Sequence, residues 1–506
     1  MDRLSEWRDP QRGIRIQIVK WHPIYNISGQ FIEHPRNVRL ILNYILRMGI
    51  VSVWRKIRSR LNETKRNIKV SAIGTGIVIQ APEDSHIHKD DFVLFFAPNH
   101  PQSPVSTCID LAFVKKIGEV DLKKRVHKSV SFSIPEELKP YIGWSMYSGC
   151  GVDHDAAHRG LQIIAKNIDL SGIEIDNIKT HSFHIQEFTG QPTWSGSLPS
   201  AVIFGLGNYA KTRIIPNIKR NLQIRRIHEI DPDQLMYIGK NSNITLDTAP
   251  IPRDNTKYDA WFIAGYHHTH TDLAIDALRQ GSYAVIEKPI STTWDQFYNL
   301  SQEISSHTPS KFFACFHKRY SILNKWAFSD FAKVNNQPID MHCVVYEIPL
   351  PALHWYNWPN SGSRLISNGC HWIDYFMFMN NYAKVIDYGL WQSRGRDLVV
   401  FARLENDACF AMSLTDTGSQ RLGVRDYIEL RSGSVTVKLI DSSKYESENR
   451  FSILRRRKVN PSNAYKEMYR SISAKIKRGL PGDPIKSLRS TELTLYLEDE
   501  LKRHRK

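Results

Sequence analysis

Ala201-Val202-Ile203-Phe204-Gly205-Leu206-Gly207-Asn208-Tyr209-Ala210 is the stretch that decides the fold. A short, continuous apolar run reads as a strand buried on both faces. Here it passes straight into G-x-G-x-x-A and then into a segment of helical character. The order strand, tight turn, helix is what gives the glycine pattern its meaning. Gly205 permits the sharp turn, and Gly207 has no Cβ, so backbone can approach a diphosphate. Asn208 and Tyr209 complete the corner, and Ala210 is small enough for close helix–strand packing. The start of the helix offers unpaired N–H groups and a positive dipole end to phosphate oxygens. Pro216 then limits or kinks that helix.

Working outward, a second strand, Ile224–Ile230, ends at Asp231, about 20 residues beyond Ala210. An acid there bonds a ribose 2′-hydroxyl and repels a 2′-phosphate, which predicts NAD rather than NADP as cofactor. Arg225 and Arg226, just before it, blunt that preference. Next come a strand over Tyr258–Ala264, the run His267-His268-Thr269-His270, a helical segment Thr271–Gln280, and a strand closing in Glu287-Lys288-Pro289-Ile290. This alternation predicts parallel βαβ units over 198–318.

Residues 1–120 are strand-rich, and 121–197 connect and end in the turn-rich linker Thr189–Ser197. From 319 to 506, helical stretches mix with β-branched strands, among them Met341–Ile348, Asp397–Leu404, Cys409–Leu414 and Val435–Ile440. The fold class is α/β: a Rossmann domain, then an α+β domain with a large, mainly antiparallel sheet, with a β-rich region in front.

The 506 residues are 41% hydrophobic and 24% charged, the balance of a globular protein of several domains. Met1–Gln17 is charged and carries no secretory pattern, and Val38–Val53 is broken by Arg39, Asn43 and Arg47, so no membrane span is expected. Six cysteines with no C-x-x-C pair point to reduced thiols and a cytoplasmic protein. Lysine and arginine total 68 against 51 acids, a net charge of +17. Basic runs lie at Arg455–Lys458 and Lys502–Lys506 without any nucleic-acid motif, so no nucleic-acid partner is expected. An anionic small substrate or a weak association with anionic lipid remains open. No metal is expected, because His267, His268 and His270 stand at a strand-to-helix turn with no supporting ligand spacing.

The succession of glycine corner, histidine-led helix and E-K-P closely resembles the glucose–fructose oxidoreductase / inositol dehydrogenase (Gfo/Idh/MocA) family of NAD(P)-dependent enzymes. Phe316-His317-Lys318-Arg319-Tyr320 resembles that family's strand motif ending in arginine. Gly362–Asp374 resembles its segment G-G-x-x-x-D-x-G-x-H-x-x-D, and Tyr465–Gly479 and Pro484–Leu497 its closing helices. The resemblance implies His267, His270, Glu287, Lys288 and Pro289 around the cofactor. It places Lys288, with its pKa lowered by burial and positive neighbours, beside the nicotinamide. His371 becomes the acid/base for a sugar or nucleotide-sugar hydroxyl, in polysaccharide biosynthesis. On the substrate side it implies Arg319, Trp355 and Asp374, and it implies a homo-oligomer formed through the C-terminal sheet.

Three alternatives stay open: His371 as a satisfied core histidine, Arg319 as the partner of a carboxylate, and the aromatic run His354–Trp358 as an interface. Ser367 stands where the family has an acid, one turn ahead of His371, so the usual relay is altered. A redox-silent NAD-binding accessory of polysaccharide assembly is therefore one alternative, and an NAD-dependent glycoside hydrolase or lyase another. Finally, Gly74–Ala81 and His88–Leu94 weakly resemble the GroES-like domain of medium-chain alcohol dehydrogenases, without that domain's zinc ligands.

Overall fold

The computed structural model describes residues 198–504 apart from 230–243, 248–255, 333–336, 351–355, 357–360, 394–396 and 418–422. Ahead of them it describes 13–25, 54, 69–81, 86–89, 91–97, 106–110 and 114–119. In this first part, β1 (Gly13–Tyr25), β2 (Lys69–Gln80), β3 (Asp91–Ala97), β4 (Ser106–Asp110) and β5 (Val114–Glu119) form an antiparallel sheet in the order β4-β1-β2-β3-β5.

The second sheet is parallel throughout: β6 (Ser200–Phe204), β7 (Gln223–His228), β8 (Thr245–Asp247), β9 (Ala260–Ile263), β10 (Tyr283–Glu287) and β11 (Phe312–Cys315), in the order β11-β10-β9-β6-β7-β8. Strand order reverses between β6 and β9, where open sheets of this kind leave a crevice at their carboxyl ends. Every residue of β9, β10 and β11 is buried, because a parallel sheet is covered on both faces.

The helices are built for that covering. Leu273, Ala274, Ala277 and Leu278 of α2 (His270–Arg279) and Phe297, Leu300 and Ile304 of α3 (Trp294–Ser305) fill one face. The other face takes Ala210, Ile214 and Ile218 from the helix after the glycine corner. It also takes Met468, Tyr469, Ile472 and Ile476 of α6 (Ser462–Lys477), from far downstream. The first of these helices starts as a π-turn, Ala210–Ile214, and continues as α1, Ile215–Ile218, with Pro216 in its first turn. Pro216 has no N–H to give, and the wider turn absorbs the misfit. The Arg213 carbonyl accepts a hydrogen bond from the Asn217 side chain at 2.7 Å.

The third sheet has eight strands: β12 (Asp340–Tyr346), β13 (Val385–Gln392), β14 (Leu398–Leu404), β15 (Cys409–Thr415), β16 (Arg425–Ser432), β17 (Val435–Ile440), β18 (Lys444–Glu448) and β19 (Ile453–Lys458). Their order is β13-β14-β15-β12-β16-β17-β18-β19, and only β12 and β15 run parallel. In β14, Leu398, Val400, Ala402 and Leu404 are buried and the residues between them are not, which turns one face inward. There it packs on α4 (Ile322–Phe331), α5 (Cys370–Met379) and α7 (Arg489–His504).

One buried ion cluster joins the second and third sheets. Arg319, just past β11, donates from Nε and Nη2 to both oxygens of Asp374 on α5 at 2.9 and 2.5 Å, and from Nη1 to Asp483 at 3.1 Å. Asp374 also accepts from the Ser490 hydroxyl at 2.7 Å. Asp483 sits on a segment laid along the edge of β11: Gly482 N and Asp483 N donate to the carbonyls of Ser310 and Phe312 at 2.7 and 2.6 Å. Arg319 and Asp374, expected at the substrate, therefore spend their hydrogen-bonding groups on each other and on the framework. A bidentate guanidinium–carboxylate pair is the strongest partner either can find. Removing Arg319 leaves two buried carboxylates without their counter-charge, so Arg319→Met should lower the unfolding free energy by about 3–5 kcal/mol. Chemical denaturation measures it, and a loss under about 1 kcal/mol would refute the structural role.

Candidate functional site: a glycine corner facing a buried lysine

The corner after β6 is tight. Gly205 has φ +89°, and a Cβ on it would stand 2.5 Å from the Ala264 carbonyl oxygen, so only glycine fits. A Cβ on Gly207 would meet nothing within 4 Å. The space above that residue is open, as a cradle for a diphosphate has to be, and the helix start lies directly behind it. Ala210 is buried against the sheet. Tyr209 turns its side chain inward, with its hydroxyl 3.4 Å from that of Tyr469.

Asp231 lies outside the described residues. The acid seen at this corner is Glu229, directly after β7, which accepts from Leu206 N at 2.6 Å. Counting to the usual spacing passed over it; its place at the strand's very end was the signal. With open space at Gly207, a helix start and an acid together, the corner fits a nicotinamide dinucleotide.

Lys288 follows β10 directly, and its bond to Pro289 is cis. The loop is held from behind by α2: His270 Nδ1 lies 2.8 Å from the Pro289 carbonyl, and the Thr271 hydroxyl donates to that of Ile290 at 2.9 Å. His270 Nε2 faces the Gly265 carbonyl at 3.2 Å. A neutral ring has one proton, and the shorter contact takes it. His267 Nδ1 meets the Ser361 carbonyl at 3.2 Å. These histidines brace the loop through backbone carbonyls.

Lys288 Nζ donates to the Ser367 carbonyl at 2.6 Å and to the Tyr356 hydroxyl at 3.2 Å. Burial pushes its pKa down, but Tyr356, Cys370 and Glu287 pull it up further, so the ammonium form is favoured. The expected lowering is thus reversed. Trp355 lies outside the described residues, and its neighbour Tyr356 is the aromatic that reaches the lysine. Nothing in the sequence ranked one above the other.

Glu287 is buried with its carboxylate accepting from the Tyr469 hydroxyl. Burial pushes its pKa up to about 7, against the opposing pull of Tyr469, Lys288, Tyr209 and Cys315.

His371 lies in the first turn of α5. Burial, then His317, Lys288 and Lys318, hold its pKa well below the usual histidine value, so it is neutral at pH 7. Its Nδ1 is buried with no hydrogen-bond partner among the described residues. Ser367 gives Lys288 its carbonyl and provides no acid for the ring. Asn368 Nδ2 donates instead to Glu347 at 2.6 Å, and Glu347 also takes Arg364. His371 instead stands edge-on to His317, ring centres 4.9 Å apart. His317 stacks flat on Tyr465 of α6 at 3.9 Å, and Arg213 covers that tyrosine at 4.9 Å.

Residues 200–309 match the sequence model of an oxidoreductase family with an NAD-binding Rossmann fold, the Gfo/Idh/MocA family. That segment is an NAD-binding Rossmann fold. Among solved structures, the chain resembles a dehydrogenase from Chromobacterium violaceum at 14% identity and TM-score 0.51, covering 62% of this chain and 99% of that one. It also resembles an oxidoreductase from Agrobacterium radiobacter, solved with NAD+, L-tartaric acid and magnesium, at 14% identity and TM-score 0.51, covering 61% and 97%. The WlbA dehydrogenase from Bordetella pertussis, solved with NADH and UDP-GlcNAcA, gives 14% identity and TM-score 0.49 over 61% and 97%. No match was found among the curated proteins. Among the described residues no helix is long and apolar enough to cross a membrane.

Glu287 yields a pH signature. Its folded pKa is raised, so the folded state holds the proton more tightly, and stability falls as pH rises from its unfolded value toward about 7. Glu287→Gln removes that loss. The variant's stability advantage over the parent should be near zero below pH ~4.3, grow through pH ~7 and then level off, reaching about 3 kcal/mol. Urea titrations across pH measure it; a flat difference would show that Glu287 is not held protonated.

Proposed function

We propose that this chain is an NAD(P)-dependent oxidoreductase acting on a hydroxyl of a sugar or nucleotide sugar, with NAD preferred over NADP. The observation that carries this is the meeting of Lys288, from the end of a Rossmann strand, with the turn that leads into His371, through the 2.6 Å bond to the Ser367 carbonyl. It sets a cation and a neutral imidazole beyond the carboxyl ends of the parallel strands. Polysaccharide biosynthesis as its setting rests on the family resemblance alone. A homo-oligomer would use the open face of the eight-stranded sheet, where Trp391 and Tyr427 are 64% and 43% exposed.

The dinucleotide, when bound, supplies the hydride chemistry. Gly207 and the helix start receive its diphosphate. Lys288 remains an ammonium, so it donates to the substrate oxygen and holds it. His371 takes the hydroxyl proton in oxidation, or returns it in reduction, through Nε2.

To accept at Nε2, the ring must keep its proton on Nδ1, which meets no acceptor among the described residues. A buried donor without a partner costs about 1–3 kcal/mol. That observation favours a second reading, dinucleotide binding without turnover.

Calorimetry with NAD and NADP tests the corner, and nicotinamide absorbance over a panel of sugars and nucleotide sugars tests the chemistry. Lys288→Ala and His371→Ala should each cut kcat/KM by about 10²-fold or more while the affinity for NAD changes only a few-fold. Tight NAD binding with no turnover on the whole panel would establish the second reading. No binding of either nucleotide would end both.

A further inference from the structure

Tyr356 belongs to the aromatic run His354–Trp358, which the chemistry just described leaves without a task. Its ring is seated on His267, with centroids 4.7 Å apart, and His267 Nδ1 meets the Ser361 carbonyl at 3.2 Å. His267 therefore holds the tyrosine, and the chain just after it, against the segment between β9 and α2. From that seat the Tyr356 hydroxyl accepts from Lys288 Nζ at 3.2 Å, and its ring centre lies 5.1 Å from the same nitrogen.

A lysine ammonium is a compact charge on a flexible stem, with three protons that rotate together. One hydrogen bond leaves it free to turn about that bond, and a second from another direction stops the turning. Lys288 has both. The 2.6 Å bond to the Ser367 carbonyl is short, as charge-assisted bonds are, and anchors the nitrogen. The longer bond to Tyr356 is the weaker of the two and sets the rotation. With two protons assigned, the third N–H has one direction left to it. Neither acceptor comes from the Rossmann segment, since Tyr356 and Ser367 both lie beyond β12. The cation is carried by one part of the chain and aimed by another.

We propose that Tyr356 is a positioning residue: with the Ser367 carbonyl it fixes the Lys288 ammonium and turns its third N–H onto the substrate oxygen. The inference rests on the oxidoreductase reading above and adds a residue that acts through Lys288. The same contact bears on protonation. Burial lowers the pKa of Lys288, while Tyr356, through its charge and its hydrogen bond, raises it together with Cys370 and Glu287. The other titratable groups facing it are neutral: His267, His270, His317 and His371, and Tyr465 of α6, whose pKa burial pushes up to about 12. Tyr356→Phe keeps the ring beneath the cation and removes only the hydroxyl, so Lys288 should give up its proton at lower pH.

The test is competitive labelling of the full chain with acetic anhydride, read at the Lys288 peptide by mass spectrometry. Only the amine form reacts, so at about pH 8 Tyr356→Phe should acetylate Lys288 about tenfold faster than the parent does. The exposed Lys219 and Lys466 should react at unchanged rates, and the melting temperature should stay the same. Turnover with NAD over the same panel of sugars and nucleotide sugars is the second arm. On any sugar where Lys288→Ala lowers kcat/KM, Tyr356→Phe should lower kcat about tenfold, with KM within about twofold and the basic limb moved to lower pH. An unchanged rate at Lys288, faster acetylation at all lysines alike, or a kcat and pH profile equal to the parent's would overturn the proposal. If no sugar turns over, the fault lies with the oxidoreductase reading, and the labelling rates still decide whether Tyr356 holds the ammonium.

Discussion

A parallel sheet has to be covered on both faces, and in this chain the second cover comes from α6, well over a hundred residues beyond the last strand of the sheet. That requirement organises the rest. To lay Met468, Tyr469, Ile472 and Ile476 on the back of β6, β9, β10 and β11, the chain must first build its eight-stranded sheet and then return. The return brings Tyr469 onto Glu287 and Tyr465 onto His317. It also lays Gly482 and Asp483 along β11, where the open edge of the sheet would otherwise lie. The candidate site is thus assembled from three remote stretches, and each arrives because a surface elsewhere needed covering.

The part of the fold that depends on local pattern was legible. Ala201–Phe204 had to be a strand because nothing in it is polar, and Gly205 had to be glycine because its turn leaves no room for a Cβ. The strand ending at Glu287 and the antiparallel strands of the last third follow from the same periodicities. What the sequence withheld depends on distance. Lys288 meets a carbonyl 79 positions away, and a backbone carbonyl has no side-chain signature to search for. Arg319 and Asp374 each suit a substrate, and only their proximity in space shows that each is the other's partner. The direction of the shift at Lys288 was misread for a related reason: burial alone lowers an ammonium, and the tyrosine that reverses it stands on another segment. Glu229 meets the glycine corner because strand β7 ends at His228, sooner than its apolar run suggests.

The electrostatics of the site follow from burial more than from composition. The net charge of +17 could suggest a field of fully charged groups. Within the site, however, His267, His268, His270, His317 and His371 are all held in the neutral form, in each case with burial as the largest cause. Nearby cations deepen the effect on most of them, because a second positive charge in a low-dielectric setting is costly. The histidines are therefore neutral groups set around two cations, Lys288 and the Asp426-paired Lys318.

The late arrival of α6 has a consequence for synthesis on the ribosome. The six-stranded sheet is complete once Cys315 has emerged, but the helix after the glycine corner covers only part of one face, and the rest waits for Ser462–Lys477. At 5–20 residues per second that interval is roughly 10–30 s. For that time the nascent chain displays Ala201, Ile203, Phe262, Val285 and Phe313 to its surroundings. Holding that face apart from other nascent chains is work for a chaperone, and the demand is written into the order of the elements.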